Sequence, residues 1–452
     1  MNRLFKFIDR IFNNPLFLNS RLFIVVGIIT AMFLFGFVFV GLFIVAKTVF
    51  FLLAVVFGLD IYFLFSKKEP LLAKRDCADR FSNGDENNIS IYCESRFAFN
   101  IEATVLDEIP PQFQIRDFEY TFSLAPNQHR SFSYALKPVR RGEYHFGKLH
   151  FYVSSPIGLV SRRITFAENK MVPVYPSYLQ MRKYELFAIS NRLSEIGIKK
   201  IRRIGHNREF DQIKDYVTGD DFRTVNWKAT ARKNSLMVNS YQDEKSQQLY
   251  SVIDKGRFMK MPFGGMTLLD YAINASLVIS NIAVKKDDKA GLITFSNRIG
   301  TILKADKKSN QMHRIMEALY QEDMRFQESD FGRLYRNIKT TIRQRSLIML
   351  YTNFESLVSM NRQLPYLRKI AKDHLLVVLF FENTELTDLS SGEAKSTEEI
   401  YIKTIAEKFA FEKRLIVKEL RKYGIHTILT APKNLTVESL NKYLELKSRG
   451  LI

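Results

Sequence analysis

From Leu22 to Phe65 the chain runs almost without polar side chains, broken chiefly by Thr30, Lys47, Thr48 and Asp60. As one helix this run would measure about 66 Å at 1.5 Å per residue, roughly twice the hydrocarbon thickness of a bilayer, about 30 Å. It must therefore fold back once. Two spans near 17–38 and 45–65, joined by a turn around Phe39–Lys47, keep every backbone polar group bonded within a helix, as lipid demands. A secretory leader needs an apolar stretch of only about 7–15 residues and a small-residue cleavage site, so this run is too long for one. Arg3, Lys6, Arg10 and Arg21 precede the first span, and Lys67, Lys68, Lys74 and Arg75 follow the second. That bias puts both ends in the cytoplasm. Asp60 would cost about 2.5–3.5 kcal/mol at mid-bilayer. Near the cytoplasmic end of its span it is expected as an interfacial carboxylate within reach of water, rather than as a proton relay.

Beyond a membrane anchor over residues 1–70, the length of 452 residues calls for two soluble domains. The formal net charge of +20 would suit nucleic acid or an anionic membrane surface. Its Lys and Arg residues are interleaved with Asp and Glu throughout, which favours solvation beside a membrane, and no nucleic-acid partner is expected. Cys77 and Cys93 are the two cysteines, and without C-x-x-C spacing or a neighbouring His they read as reduced thiols.

Residues 76–175 alternate apolar and polar in short runs such as ISIYCES, FNIEATVLD and GKLHFYVSS, separated by Gly, Pro, Asn and Asp. An antiparallel β-sandwich, immunoglobulin-like in outline, is the expected fold. Its sharpest local signals are Pro138-Val139-Arg140-Arg141-Gly142-Glu143-Tyr144 and Ser155-Pro156-Ile157-Gly158-Leu159, both read as turns with solvated charges. Residues 176–245 form a linker. It begins with a helix over 177–200, passes through the basic run Lys199, Lys200, Arg202 and Arg203, and ends in a dense polar block from Gly205 to Ser235. From 246 to 452 the apolar runs LYSVID, AGLITF, SLIMLYT, HLLVVLFF and HTILTA alternate with amphipathic stretches near 266–285, 307–322, 357–373 and 399–423. Strands apolar on both faces with helices between them predict a mostly parallel, doubly wound α/β domain. Ligands of such domains lie at the carboxyl ends of the strands, where Asp254 and Asn353 fall.

Three sets of residues resemble a known family. They are Arg140-Arg141-Gly142-x-Tyr144; Gly205-x-x-x-Glu209-Phe210 with Tyr216-x-x-Gly219-Asp220-Asp221-x-Arg223-x-x-x-Trp227-Lys228-x-x-Ala231-Arg232; and the strand into Asp254 with Met259 behind it. On these the chain is similar to domain of unknown function family 58, bacterial inner-membrane proteins with a von Willebrand factor A-like C-terminal domain. The resemblance implies partnership with a MoxR-type AAA+ ATPase and other von Willebrand A proteins in chaperone-like assembly of complexes. In von Willebrand A domains a D-x-S-x-S motif, a later Thr and a later Asp often hold a divalent cation. Here the motif reads Asp254-Lys255-Gly256-Arg257-Phe258, and the later Asp position corresponds to Asn353. Both serines and one acid are missing from a site that needs hard oxygen ligands, so a metal-free domain is expected, with Lys255 or Arg257 as a possible fixed cation.

In the polar block Thr218-Gly219-Asp220-Asp221 reads as a turn in which either Asp caps a short helix beginning near Phe222. Asp220 or Asp221 is expected to pair with Arg223 or Arg232, and Trp227 to anchor the loop against the α/β domain. The block then serves as a structural brace, with a partner site as the alternative. No Walker A, G-x-G-x-x-G, G-x-S-x-G or H-E-x-x-H pattern occurs. His145 and His150 are expected on opposite faces of one strand. No catalytic residue and no cofactor is expected. The competing reading is a hydrolase using Glu209, Asp215, Asp220 and Asp221, which capping and ion pairing explain at least as well.

Overall fold

The computed structural model describes residues 15–189, 208–218, 220–243, 246–323, 326–384 and 396–451. The chain divides into two compact units, one ending at Val174 and one beginning at Tyr175.

In the first unit a short strand β1 (Leu16–Leu18) leads into helices α1 (Ser20–Gly36) and α2 (Val40–Phe65). Among the described residues α2 is the one helix long and apolar enough to cross a membrane, and α1 is apolar but shorter. The bounds differ from the expected spans at the start of the first and at both inner ends. Residues 16–18 pair with Val160–Arg162 instead of starting a helix, because Asn19 is bonded into the β structure. Its N–H and its side-chain amide donate to the carbonyls of Leu159 and Gly158, at 3.0 and 3.2 Å. The turn closes within Phe37–Phe39, so Lys47 lies inside α2. A Cβ on Gly36 would stand 2.9 Å from the Phe43 backbone, so glycine permits the close approach of the two helices.

The remainder of this unit is β structure: β2 (Leu71–Cys77), β3 (Phe81–Ser82), β4 (Asn87–Ser95), β5 (Ile101–Asp107), β6 (Glu119–Leu124), β7 (His129–Leu136), β8 (Gly142–Phe146), β9 (Leu149–Ser154), β10 (Val160–Phe166) and β11 (Lys170–Tyr175). They form a five-stranded sheet β1-β10-β9-β5-β6 and three-stranded sheets β2-β4-β7 and β3-β11-β8. Alternation places Ile101, Ala103 and Val105 of β5 inward with Ile91 and Cys93 of β4, and a second core joins Ile89 and Leu136 to Tyr144 and Val172. His145 lies in β8 and His150 in β9, in different sheets, because Gly147-Lys148 interrupts the run that the sequence suggested was one strand. A buried Arg75 bonds the Asp107 carboxylate, with Nε at 3.0 Å from Oδ2, and donates to the Glu168 carbonyl at 2.8 Å, so this cation is a core element rather than a flanking charge.

The carboxyl end of α2 is fastened to the turn after β9. Asp60 is fully buried and accepts from the Ser155 hydroxyl and from the N–H groups of Leu159 (3.0 Å) and Val160 (3.1 Å). It is therefore not the water-facing carboxylate expected from its position, since backbone donors of the Ser155–Leu159 turn replace water around it. Gly158 takes φ +70° in this turn, a conformation that costs glycine little. Beside it the buried Arg162 donates to the carbonyls of Leu64 (2.9 Å) and Lys67 (3.0 Å). A cation thus satisfies acceptors left over at the negative end of the helix.

In the second unit α3 (Tyr178–Ile189) packs on α5 (Leu268–Lys285) through Tyr184, and Glu185 pairs with Lys285 at 2.8 Å. The expected helix over 177–200 is thus described to Ile189 and belongs to this unit's core. The basic run Lys199–Arg203 and Gly205 lie outside the described residues. A two-stranded ribbon, β12 (Arg208–Asp215) and β13 (Met237–Asp243), brackets the short helix α4 (Trp227–Lys233).

The main sheet comprises β14 (Gln248–Asp254), β17 (Lys289–Phe295), β18 (Ile299–Asp306), β19 (Leu347–Tyr351), β20 (Leu375–Phe381) and β21 (His426–Thr430). The two-residue strands β15 (Pro262–Phe263) and β16 (Met266–Thr267) pair separately. Its order is β18-β17-β14-β19-β20-β21, parallel except for β18. This is the doubly wound sheet the five apolar runs predict, with the half-buried edge strand β18 added. Helices α5, α6 (Gln311–Gln321) and α10 (Leu435–Ser448) cover one face, while α7 (Phe331–Thr341), α8 (Leu357–Asp373) and α9 (Thr397–Lys422) cover the other. The chain reverses its winding between β14 and β19, so the carboxyl ends of these two strands are the switch point of the fold.

Candidate functional site at the carboxyl ends of the strands

Asp254 closes β14 at this switch point and is buried. One carboxylate oxygen accepts from the Gly256 N–H (2.8 Å) and the Ser329 hydroxyl, and the other accepts from the Thr352 hydroxyl (2.7 Å). Burial pushes this carboxyl above the usual range, while those three hydrogen bonds pull the other way. Asn353, next in the chain, donates to the Phe258 carbonyl at 3.4 Å and accepts from the Lys413 ammonium of α9 at 2.8 Å. Lys413 also donates to the Phe354 carbonyl. Burial lowers its pKa to about 8, with Glu355 acting in the opposite direction.

The four positions singled out here from the sequence, Asp254, Gly256, Phe258 and Asn353, are therefore brought together. Lys255 does not face Asp254. Its ammonium pairs with buried Glu322, which also accepts from the Thr294 hydroxyl at 2.7 Å. Burial alone would raise the Glu322 pKa, but hydrogen bonds from Lys255, Thr301 and Thr294 and the Lys255 charge hold it below the usual carboxylate range. Arg257 is exposed, stacks over Phe258, and does not replace a cation at the site. Sequence reasoning did not find Ser329, Thr352, Glu322 or Lys413.

These residues do not fit the divalent cation that the resemblance implies for such domains. Among the described residues no cluster of three or more His, Cys, Asp or Glu side chains is placed to hold a metal. Asp254 is engaged by three protein donors, and the neutral Asn353 has its oxygen on an ammonium. Lys413 brings a positive charge to Asn353, where a cation would need a negative one. Chemically, the arrangement ties the loops after β14 and β19 to each other and to α9.

The polar block is differently placed. Asp221 caps a single 3-10 turn, Phe222–Thr224, by accepting from the Arg223 N–H at 3.0 Å, as expected. The expected Asp–Arg pairs are absent among the described residues. Asp220 pairs instead with Lys214 (3.0 Å) and the Val217 N–H (3.1 Å), and these bonds draw its pKa down. Arg232 is exposed on α4, as is Lys228. Trp227 is 65% exposed, so it does not anchor the loop in a core. It opens α4 and meets Phe222 edge to face at 6.1 Å, with Tyr216 next in line at 6.5 Å from Phe222. Among the described residues the ribbon has two strands, and the residues it buries, such as Val225, Met237 and Val238, do not include the indole. Gly219 and the Glu209 side chain lie outside the described residues. In the first unit the Tyr144 hydroxyl donates to the Arg140 carbonyl at 2.9 Å. Arg140, Arg141 and Gly142, with φ +125°, thus form a fixed turn.

Residues 212–408 match the model of the family described as protein of unknown function DUF58. The uncharacterized protein YeaD of Bacillus subtilis (strain 168) is 27% identical over 125 residues, 27% of this chain and 30% of that relative. The match therefore spans less than a third of the relative's length. Among solved structures, BatB from Bacteroides thetaiotaomicron, a conserved hypothetical protein, is similar at 12% identity. It covers 45% of this chain and 100% of that one, with a TM-score of 0.32. The SpRpn10 VWA domain is similar at 11% identity over 43% of this chain and 94% of that chain, with a TM-score of 0.29.

Proposed function

We propose, from the match of residues 212–408 to the DUF58 model, that the chain is a non-catalytic, membrane-anchored adaptor presenting its α/β unit to cytoplasmic proteins. The observation that carries this reading is the state of Asp254. Enzymes of doubly wound folds place reactive groups at the switch point, whereas here the carboxylate is buried among three donors from the chain itself. What the same edge offers outward is a rim of exposed Arg257, Lys260 and Phe326, the Lys260 ammonium lying 3.9 Å from the Phe326 ring centroid. Of these, the arginine and the phenylalanine are of the kinds enriched at protein recognition surfaces.

In this reading α1 and α2 are two membrane spans with both termini in the cytoplasm. The β unit, immunoglobulin-like in outline, holds the end of α2 through Asp60 and Arg162. The expected partners are a MoxR-type AAA+ ATPase and other von Willebrand A-domain proteins, with no nucleic acid, cofactor or metal required. The hydrolase reading is weaker because Asp220 and Asp221 are already engaged in a salt bridge and a cap. The test is turnover by the purified full chain against ester, phosphoester and nucleotide substrates. The adaptor reading predicts none above background, and activity abolished by Asp220→Asn would reject it.

A further inference from the structure

The ribbon of β12 and β13 carries an apolar and cationic surface that the strand-end site does not use. Trp227 and Phe222, 65% and 60% exposed, form an edge-to-face pair, and exposed Val217 lies in the same connection. Such a surface on a two-stranded ribbon is unusual, because aromatic side chains lose most of their favourable burial when left in water. Among the described residues the charges around it are unevenly matched. Asp215 accepts from the Ser235 hydroxyl at 3.2 Å and lies 3.8 Å from Lys233, Asp220 holds Lys214, and Asp221 caps the turn. Each described acid of the ribbon is thus engaged locally. Arg223, Lys228 and Arg232 make no ion pair with any described residue.

We propose that this ribbon is the docking element for an acidic surface on a partner protein. The inference rests on the adaptor reading and names the chemistry its partner must present. A pair of exposed aromatic rings beside Arg223, Lys228 and Arg232, which ion-pair with no described residue, complements carboxylates set around an apolar side chain. Tryptophan and arginine are the residues that most often carry binding energy at such contacts. An anionic lipid surface fits less well, because a continuous sheet of phosphates would also face the exposed carboxylates of Asp215 and Asp221. A protein can set its carboxylates beside the cations alone.

Trp227 is the chain's single tryptophan, so its emission reports occupation of this surface directly. The experiment titrates the detergent-solubilised full chain with a short peptide of alternating glutamate and leucine. Parallel titrations use a lysine–leucine peptide, phosphatidylglycerol vesicles and single-stranded oligonucleotide. The expected result is a saturable shift of Trp227 emission with the acidic peptide. It should weaken about tenfold or more in Lys228→Glu/Arg232→Glu, since like charges face each other there, with the circular dichroism spectrum unchanged. Should that variant misfold, Lys228→Gln/Arg232→Gln at the same exposed positions is expected to weaken binding in the same direction. No saturable shift with the acidic peptide, or a shift produced by vesicles or oligonucleotide instead, overturns the proposal. Affinity capture separates its failure from that of the adaptor reading. A partner retained equally by wild type and charge-reversed chain removes the ribbon from the account and leaves the adaptor. A wild-type chain that retains no partner removes both.

Discussion

Gly256 leaves room for the Ser329 hydroxyl at Asp254, because a Cβ built there would stand 2.2 Å from Ser329 Oγ. Its φ of −70° suits any residue, so the constraint is space and not backbone strain. Gly256→Ala should expel the hydroxyl, leave a buried carboxylate short of a donor, and lower stability by about 1–3 kcal/mol. Chemical denaturation of the two proteins side by side measures this. Lys413 makes a second residue-scale prediction. Its pKa is about 8 when folded and about 10.4 when unfolded, so within that window the unfolded chain binds more protons. Stability therefore rises with pH across the window. The contribution is fully present above the unfolded value and is lost as pH falls through the folded one. Lys413→Met should remove that part of the slope, and denaturation midpoints at pH 7.5 and 10.5 would show it. A variant with the wild-type slope would mean that the ammonium is solvated. Asp254, Gly256 and Asn353 were legible from the sequence at the ends of their strands, but the donors that hold them were not. Ser329 and Thr352 stand 75 and 98 residues from the Asp254 they bond, and Lys413 arrives from a helix whose amphipathic pattern marks it only as a solvated cation.

At the scale of elements, the end of α2 and the turn after β9 form one unit through Asp60 and Arg162. Asp60→Ala would leave a hydroxyl and two backbone N–H groups without their acceptor, each worth about 1–3 kcal/mol when buried unpaired. Hydrogen exchange measured by mass spectrometry should then accelerate at the Leu159 and Val160 amides while the β14 amides keep their protection. Unchanged exchange at 159–160 would mean that the turn holds without the helix. Ser155-Pro156-Ile157-Gly158-Leu159 was legible as a turn from its Pro and Gly, but its purpose was not, since the acid it binds lies 95 residues earlier. β14, β17, β19 and β20 were legible because burial on both faces makes them largely apolar, whereas the edge strand β21 is half-buried and was legible only through Ile428 and Leu429. β18 shows only the alternation of a half-buried edge, and β1 was absorbed into the apolar run beside it. In the polar block the cap by Asp221 was legible as local chemistry. The exposure of Trp227 was not, because tryptophan in a dense segment reads as an anchor until the ribbon is seen to have only two strands.

At the scale of the whole molecule, an apolar helical segment is fixed to a β unit, and an α/β unit holds its own loops together through its switch-point carboxylate. Composition made the two folded units and the apolar segment legible, while it left adaptor and hydrolase as competing proposals. Asp215, Asp220, Asp221 and Asp254 are each engaged by donors of the chain itself, and the proposed adaptor role rests on that engagement. The most direct test of that claim is affinity capture of the tagged full chain in mild detergent, with quantification of what it retains. The account predicts a AAA+ ATPase held in near-stoichiometric amount, carrying all the nucleotide turnover of the complex. A chain that retains no partner and itself turns over a substrate would contradict it.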